Sequence, residues 1–567
     1  MSTIVGIDIG GTFTDLVSLS DGKLKTVKVA STPLDFSVGF SEALGLAVGE
    51  GSTSDIIHAT TVATNALIQR KGARVGMITT EGFRDILALR RRDRRGAYGL
   101  ETAFAPLVPR LHRCEVVERS SPDGTLVPVD VEEVVATAAD LWGAGVDAIL
   151  VAFLHSATSP ENERTARDGI RSRWPDRLVF ASHEVADVPS EFERFSTGSA
   201  SAYVAPLIET YLAGIQEKVT QTDSLQVVVS DGGLVDPQTA KDNPVRTALS
   251  GPAAGVWGAH AVCDALDTPA FVACDMGGTS FDACLVSDGN PALTRERELA
   301  FGIPLAVEML DIATIGAGGG SIVTVSAAGV VEVGPEGVGA DPGPACYGRQ
   351  VHRATVTDAD LLLGRISPTL RLSSSVQGDP LVRELDVDTA YKTMNERVAA
   401  PLGVSVEEAA ELVLSTVDEK MAGQIRQMAL HNRADLSTFA LFAYGGAGPL
   451  HAAGIATSLG MPRIIVPPNA GLFSAWGGLL TGTSKTHSVA DILPRTSVNG
   501  HADSQSRSVV FSEGVSVECA VIDRLDLDEG ASGVGSCVIE EPGATTVVPP
   551  DFDWRVGRDN MLILERR

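Results

Sequence analysis

The stretch Gly6-Ile7-Asp8-Ile9-Gly10-Gly11-Thr12-Phe13-Thr14-Asp15 returns as Ala273-Cys274-Asp275-Met276-Gly277-Gly278-Thr279-Ser280-Phe281-Asp282. Asp8 matches Asp275, Gly10-Gly11-Thr12 matches Gly277-Gly278-Thr279, and Asp15 matches Asp282, each pair 267 positions apart (Asp8 to Asp275). The same offset carries Asp21-Gly22 onto Asp288-Gly289. Apolar runs flank each glycine pair, so each copy reads strand, turn, strand, with Asp-Gly as the following hairpin turn. One Gly-Gly-Thr alone is a weak signal. Two copies in register, down to a distant turn, indicate internal duplication.

Between and after the copies, helical and strand patterns alternate. Residues 60–70, 131–142 and 200–218 read as helices, and 74–79, 148–153 and 178–182 as strands. Such alternation predicts an α/β fold with mostly parallel sheets covered by helices. Residues 405–432 read as a long helix, because Ser405 and Glu408 have capping-box spacing. Residues 439–444 read as a buried strand running into Gly445-Gly446-Ala447-Gly448. The expected division is a first lobe over 1–200, a second over 201–488, and a small β-rich tail over 489–567.

The bulk properties restrict the function. A chain of 567 residues exceeds one ordinary core. A formal charge of −27 disfavours nucleic-acid binding by charge. A phosphate ligand must then be held by local amides, helix ends or Mg²⁺. Seven scattered cysteines without Cys-x-x-Cys read as reduced thiols, which predicts a cytoplasmic protein. Neither a signal peptide nor an apolar run of membrane-spanning length is read, so no membrane association is expected.

A loop that grips phosphates needs glycines, hydroxyl donors and a carboxylate for Mg²⁺. Gly10, Gly11, Thr12 and Thr14 in the first copy, and Gly277, Gly278, Thr279 and Ser280 in the second, supply the first two. Asp8 and Asp275 end the strands before the loops and are the candidate catalytic and metal-holding carboxylates. The plainer alternative is a pair of glycine hairpins. Gly445, Gly446 and Gly448 either admit a flat ligand or make a tight strand-to-helix turn, and His451 is either a ligand group or a helix-start hydrogen bonder. The loop at 315–321 reads as flexible. Asp341 and Cys346 read better as a structured loop with a buried thiol than as a site. The polar residues at 58–65 and 182–194 suit a polar substrate or helix caps, and the basic run at 90–95 defaults to a solvated loop.

Together these motifs resemble the A subunit of the hydantoinase/oxoprolinase family. The resemblance rests on residues 6–15, 58–67, 74–85, 182–184, 250–253, 275–282, 315–322, 339–348 and 445–451, in order along most of the chain. It implies an actin-like ATPase core of the acetate kinase and heat-shock-chaperone type. It implies that ATP and Mg²⁺ activate an inert carbonyl, by phosphorylating the oxygen of a cyclic amide such as a hydantoin, 5-oxoproline or a lactam. A HyuB-like B subunit would complete the hydrolysis within a hetero-oligomer. The alternatives are an ATP-dependent ketone carboxylase subunit and a non-catalytic actin-like nucleotide switch. By the same resemblance Asp8 and Asp275 organise Mg²⁺, Gly10, Gly11, Thr12, Gly277, Gly278 and Thr279 cradle phosphates, and Gly445, Gly446 and Gly448 line the adenosine side. Two features depart from the family pattern: a short C-terminal β region and a basic stretch at 90–98.

Overall fold

The computed structural model describes residues 2–10, 13–20, 23–32, 35–48, 53–92, 104–219, 223–300, 302–339, 341–348, 352–371, 382–483, 505–511 and 515–567. Gly11, Thr12, the Asp21-Gly22 turn, the end of the basic run and residues 489–504 lie outside them.

The first lobe is built on β1 (Ser2–Ile9), β2 (Phe13–Ser20), β3 (Lys23–Ala30) and β4 (Thr53–Thr60). The first three are sequential antiparallel neighbours, and β4 lies parallel to β1 on its other side. Residues 53–60 were not anticipated as a strand. The β-branched Thr53, Ile56, Ile57 and Thr60 favour an extended chain over the helix expected from Thr60. That helix, α1 (Val62–Ile68), starts two residues later, where the Thr60 hydroxyl accepts the Val62 amide at 3.1 Å.

A second layer is inserted after α1. Its strands β5 (Val75–Thr80), β6 (Arg113–Val116), β7 (Ala148–Ala152) and β8 (Leu178–Ala181) form an all-parallel sheet in the order β8-β7-β5-β6. The chain returns along α2 (Glu191–Lys218), which begins nine residues before the expected start at 200. Glu193 and Arg194, expected in a polar connection, are buried in its first turns. Arg91 pairs with Glu193 at 2.6 Å and also with Glu296, so part of the basic run ties segments together. Strands β9 (Ser224–Val228) and β10 (Leu234–Val235) complete the first sheet in the order β10-β9-β4-β1-β2-β3.

Helix α3 (Ser250–Ala265) leads into the second lobe. There β11 (Phe271–Met276), β12 (Phe281–Ser287) and β13 (Asn290–Pro291) form the antiparallel run, and β14 (Ile312–Ile315) also pairs with β12. After α4 (Val406–Asn432), with its Ser405/Glu408 capping box, β15 (Ala440–Tyr444) lies parallel to β11. Then come α5 (Gly448–Leu459), β16 (Arg463–Val466) and α6 (Phe473–Thr483). The β1–β2 and β11–β12 hairpins therefore each have a parallel strand on the far side of their first member.

The tail is β-rich over the described residues and is woven into the second lobe. Strands β17 (Gln505–Val510), β18 (Ser516–Asp523), β19 (Ser532–Val534), β20 (Cys537–Glu541), β21 (Ala544–Val548), β22 (Phe552–Val556) and β23 (Leu562–Arg566) follow one another. Four make a separate sheet, β17-β18-β20-β21, while β23, β22 and β19 extend the main sheet beyond β16. One large apolar cluster spans both sheets, the helices α3, α4 and α6, and the tail. No helix among the described residues is long and apolar enough to cross a membrane.

Candidate functional site

Asp8 stands opposite Asp15 in the β1–β2 ladder, and Asp275 opposite Asp282 in the β11–β12 ladder. Residues opposite one another on antiparallel strands share a face. Each hairpin closes with the same hydrogen bond, from Gly10 N to Phe13 O at 3.0 Å and from Gly277 N to Ser280 O at 3.1 Å. Over the described residues the two copies thus share their register and closing bond.

Each first aspartate is closely approached by a glycine from another segment. A side-chain carbon on Gly251, in the first turn of α3, would lie 3.0 Å from Asp8 Oδ1. One on Gly445, which has φ 83°, would lie 2.2 Å from Asp275 Oδ1. Ser474 on α6 donates to Asp275 Oδ2 at 3.1 Å. Asp8 Oδ1 is closed to solvent and has no hydrogen-bond partner. Asp15 pairs with Lys28 at 2.8 Å, and Asp282 accepts from Thr314 at 2.5 Å and Ser280 at 3.2 Å.

Burial dominates the electrostatics. It raises Asp8 to about 7, with the charge of Asp15 adding and Lys28 opposing. It raises Asp275 to about 7, with Asp282 adding, Ser474 opposing, and Asp8 and Asp15 contributing from the other lobe. The charges of Asp282, Asp8 and Asp15 thus all bear on Asp275, and Lys28 is held by Asp15. A divalent cation would relieve that repulsion.

The second loop is open on one side and braced on the other. A side-chain carbon on Gly277 or Gly278 would meet nothing within 4 Å. Behind them, Gly319 N donates to Gly277 O at 3.1 Å and Gly320 N to Gly278 O at 2.8 Å. A side chain on Gly318 would strike the Gly278 carbonyl carbon at 2.6 Å. The loop expected to be flexible is therefore a backbone brace. Lys420 on α4 pins it, donating to Gly316 O at 3.2 Å and Val333 O at 2.7 Å. With the carbonyls tied down, the Gly278 and Thr279 amides have no acceptor among the described residues. This is the donor set of an anion nest.

The third glycine segment sits beside the second loop. Gly445 N donates to Ala470 O, and Ala447 N to Met276 O, both at 2.9 Å. Gly448 opens α5. The structure thus brings Asp8, Gly10, Asp275, Gly277, Gly278, Thr279, Ser280, Gly445, Gly446 and Gly448 to one region.

Thr14 departs from the expectation of a phosphate donor. It is fully buried, and its hydroxyl is 3.2 Å from Ser31 Oγ. Its counterpart, Phe281, is fully buried too, so this strand position belongs to the core. His451 is an internal group between Asp418 at 2.7 Å and Asp360 at 3.6 Å. Burial works against its charge, but the two carboxylates prevail and hold it up at about 10. His58 is also buried, beside the Tyr211 hydroxyl, and desolvation holds it down at about 4. His183 is backed by buried Glu163 at 2.7 Å in the inserted layer. Cys346 is fully buried, in line with the plainer reading, and all seven cysteines are free thiols. Lys28, Ser474 and Thr314 were missed. Lys28 was within reach, because the hairpin expected at Asp21-Gly22 sets Ser20 opposite Lys23 and hence Asp15 opposite Lys28, the register observed.

This arrangement has the architecture of an actin-like ATPase. Caprolactamase from Pseudomonas jessenii has the same fold, with a TM-score of 0.83 and 24% identity over 99% of this chain and 100% of that one. The nucleotide-free structure of acetone carboxylase gives a TM-score of 0.81 and 23% identity, over 100% and 99%. Residues 4–174 match the hydantoinase/oxoprolinase N-terminal region and 194–487 match hydantoinase/oxoprolinase. The chain belongs to the hydantoinase/oxoprolinase family. Among its relatives, the acetophenone carboxylase gamma subunit of Aromatoleum aromaticum is 34% identical over 90% of this chain and 70% of its own length. The caprolactamase subunit alpha of Pseudomonas jessenii is 32% identical over 84% and 70%.

Proposed function

We propose that this chain is the ATP-binding subunit of a cytoplasmic hetero-oligomeric enzyme that activates the carbonyl of a small cyclic amide or ketone. The carrying observation is two Asp hairpins of matching register whose carboxylates act on one another across the copies, with the Gly278 and Thr279 amides unaccepted among the described residues. The orphaned Asp8 Oδ1 and the open face of Gly277 and Gly278 fit a cation and a phosphate chain. Mg²⁺·ATP would supply a transferable phosphoryl group, which turns a resonance-stabilised carbonyl oxygen into part of a leaving group.

The residues divide the work. Asp8 and Asp275 hold the cation, losing the protons that burial favours. Among the described residues no set of three or more His, Cys, Asp or Glu side chains is arranged to hold a metal. Phosphate oxygens and water would therefore complete the cation's shell. Gly277, Gly278 and Thr279 take one side of the phosphates, and Gly10, Gly11 and Thr12 the other. Gly445, Gly446 and Gly448 take the adenosine side. Lys28 holds Asp15 in place and opposes the rise that burial imposes on its carboxyl.

The cyclic-amide and ketone readings share phosphoryl transfer from ATP to oxygen and differ in its use: an amide oxygen becomes part of a leaving group, whereas a ketone must give up an α-proton to take the phosphoryl group on its enolate oxygen. The wide match to the acetophenone carboxylase subunit favours the ketone reading. The test is ADP release by the chain with its co-expressed partner, over a panel of hydantoin, 5-oxoproline, caprolactam, acetone and acetophenone. Bicarbonate-dependent ATP turnover with a ketone establishes the carboxylase reading, and bicarbonate-independent turnover with a lactam or hydantoin establishes the hydrolase. Nucleotide binding with no stimulation by any carbonyl leaves a nucleotide switch.

A further inference from the structure

The tail places a buried carboxylate against the loops that frame Asp275. Glu541 ends β20, and the turn after it, Pro542-Gly543, leads into β21. Glu541 Oε2 accepts the Asn469 amide at 2.8 Å, and Oε1 accepts the Ala470 amide at 3.1 Å. Asn469 is in the left-handed region at φ 54°, so this bend needs holding. The Ala470 carbonyl then accepts the Gly445 amide at 2.9 Å, and Gly445 abuts Asp275. Ser474, four residues on, donates to Asp275.

The backbone of the same turn touches both segments. The Gly543 carbonyl oxygen lies 2.6 Å from where a side-chain carbon on Gly471 would sit, and 3.4 Å from the corresponding point on Gly446. Glu541 is only 6% exposed, and its nearest cation, Arg524, stands 3.9 Å away. Arg524 itself donates to Val466 O and Asn560 O, at 2.9 and 2.8 Å. A charge this deeply buried is a poor source of stability. What it supplies is two charge-assisted hydrogen bonds that fix one loop.

We propose that Glu541 is a positioning residue of the nucleotide site: by holding the Asn469 and Ala470 amides it sets the 445–448 loop over Asp275. This rests on the ATP-site reading above. The tail is then a wall of the site rather than an appendage.

The test uses the full chain and calorimetric titration with Mg²⁺·ADP and Mg²⁺·ATP. Glu541→Ala weakens both by about tenfold, roughly the worth of one charge-assisted hydrogen bond. Glu541→Gln keeps one acceptor and loses about threefold, which carries the test if the alanine variant does not fold. Glu540→Ala breaks the neighbouring pair with Arg507 on the same strand and leaves both affinities within about twofold. Unchanged binding in both Glu541 variants, or equal weakening by Glu540→Ala, overturns the proposal. Failure of the unaltered chain to bind either nucleotide removes the ATP-site reading itself, a result separate from these.

Discussion

Gly258 on α3 and Gly477 on α6 meet backbone to backbone: a side-chain carbon on Gly258 would lie 2.5 Å from the Gly477 Cα. One on Gly477 would lie 2.0 Å from Ala254 O. These helices cross between the lobes, and α6 also lies so close to β1 that a side chain on Gly6 would strike Ala475 O at 2.1 Å. Gly258→Ala and Gly477→Ala are expected to force the crossing apart and cost about 1–3 kcal/mol, read from urea midpoints. Gly423→Ala is the control. It lies inside α4 with nothing within 4 Å, so alanine there should stabilise by about 0.5–1 kcal/mol.

Asp8→Asn and Asp275→Asn should each fold and lose ATP turnover by about three orders of magnitude, with nucleotide affinity reduced only in the presence of Mg²⁺. Both carboxylates are desolvated, so the neutral amide is no burden to the fold. Wild-type turnover in both variants would remove the metal-holding role.

The raised carboxylates set a pH dependence whose sign comes from proton binding. An unfolded aspartate titrates near 3.8, while Asp8 and Asp275 titrate near 7 in the fold. Between those values the native state holds more protons. Without nucleotide or divalent cation, stability should therefore fall as pH rises from about 4 to about 7, then level off. The Asn variants should flatten that slope in thermal melts across the range. Conversely, Mg²⁺·ATP binding should strengthen as pH rises through 7, with proton release measurable in buffers of different ionisation enthalpy.

His451→Leu should be among the more damaging single changes in the second lobe. It leaves Asp418 and Asp360 facing an apolar side chain in a buried site. Breaking a buried ion pair from one side costs about 3–5 kcal/mol. Because the folded histidine is held up at about 10, its contribution is full below 6.5 and fades as pH rises toward 10. A urea midpoint for the variant that matches wild type at pH 6 would refute this.

The paired Asp hairpins were legible because duplication repeats a pattern that chance rarely does, and their register came from two-residue turns. The capping box at Ser405 was legible because its chemistry is local. The strand at 53–60 was not, since its polar Asp55 and His58 mask a run whose partners lie far off in sequence. The start of α2 was hidden because Glu193 and Arg194 look like surface residues until the groups they pair with, Arg91 and the Phe153 carbonyl, are known. The brace at 316–320 looked mobile because glycines signal freedom, whereas here they permit contact with Gly277 and Gly278. Thr14 was misassigned because it turns into the core at a position of β2 where Asp15, beside it, stays partly exposed opposite Asp8.

The strands at the end of the chain bear on how this protein can be cut and expressed. β23 pairs with β16 over four residues, from Arg463–Glu565 to Val466–Leu562. A shortened version stopping at residue 487, where the family match ends, would strip β16 of that neighbour and expose a flat row of unsatisfied amides and carbonyls. Such an edge recruits other chains. The shortened protein should collect in inclusion bodies, and solubility should return when the missing strands are supplied as a separate polypeptide.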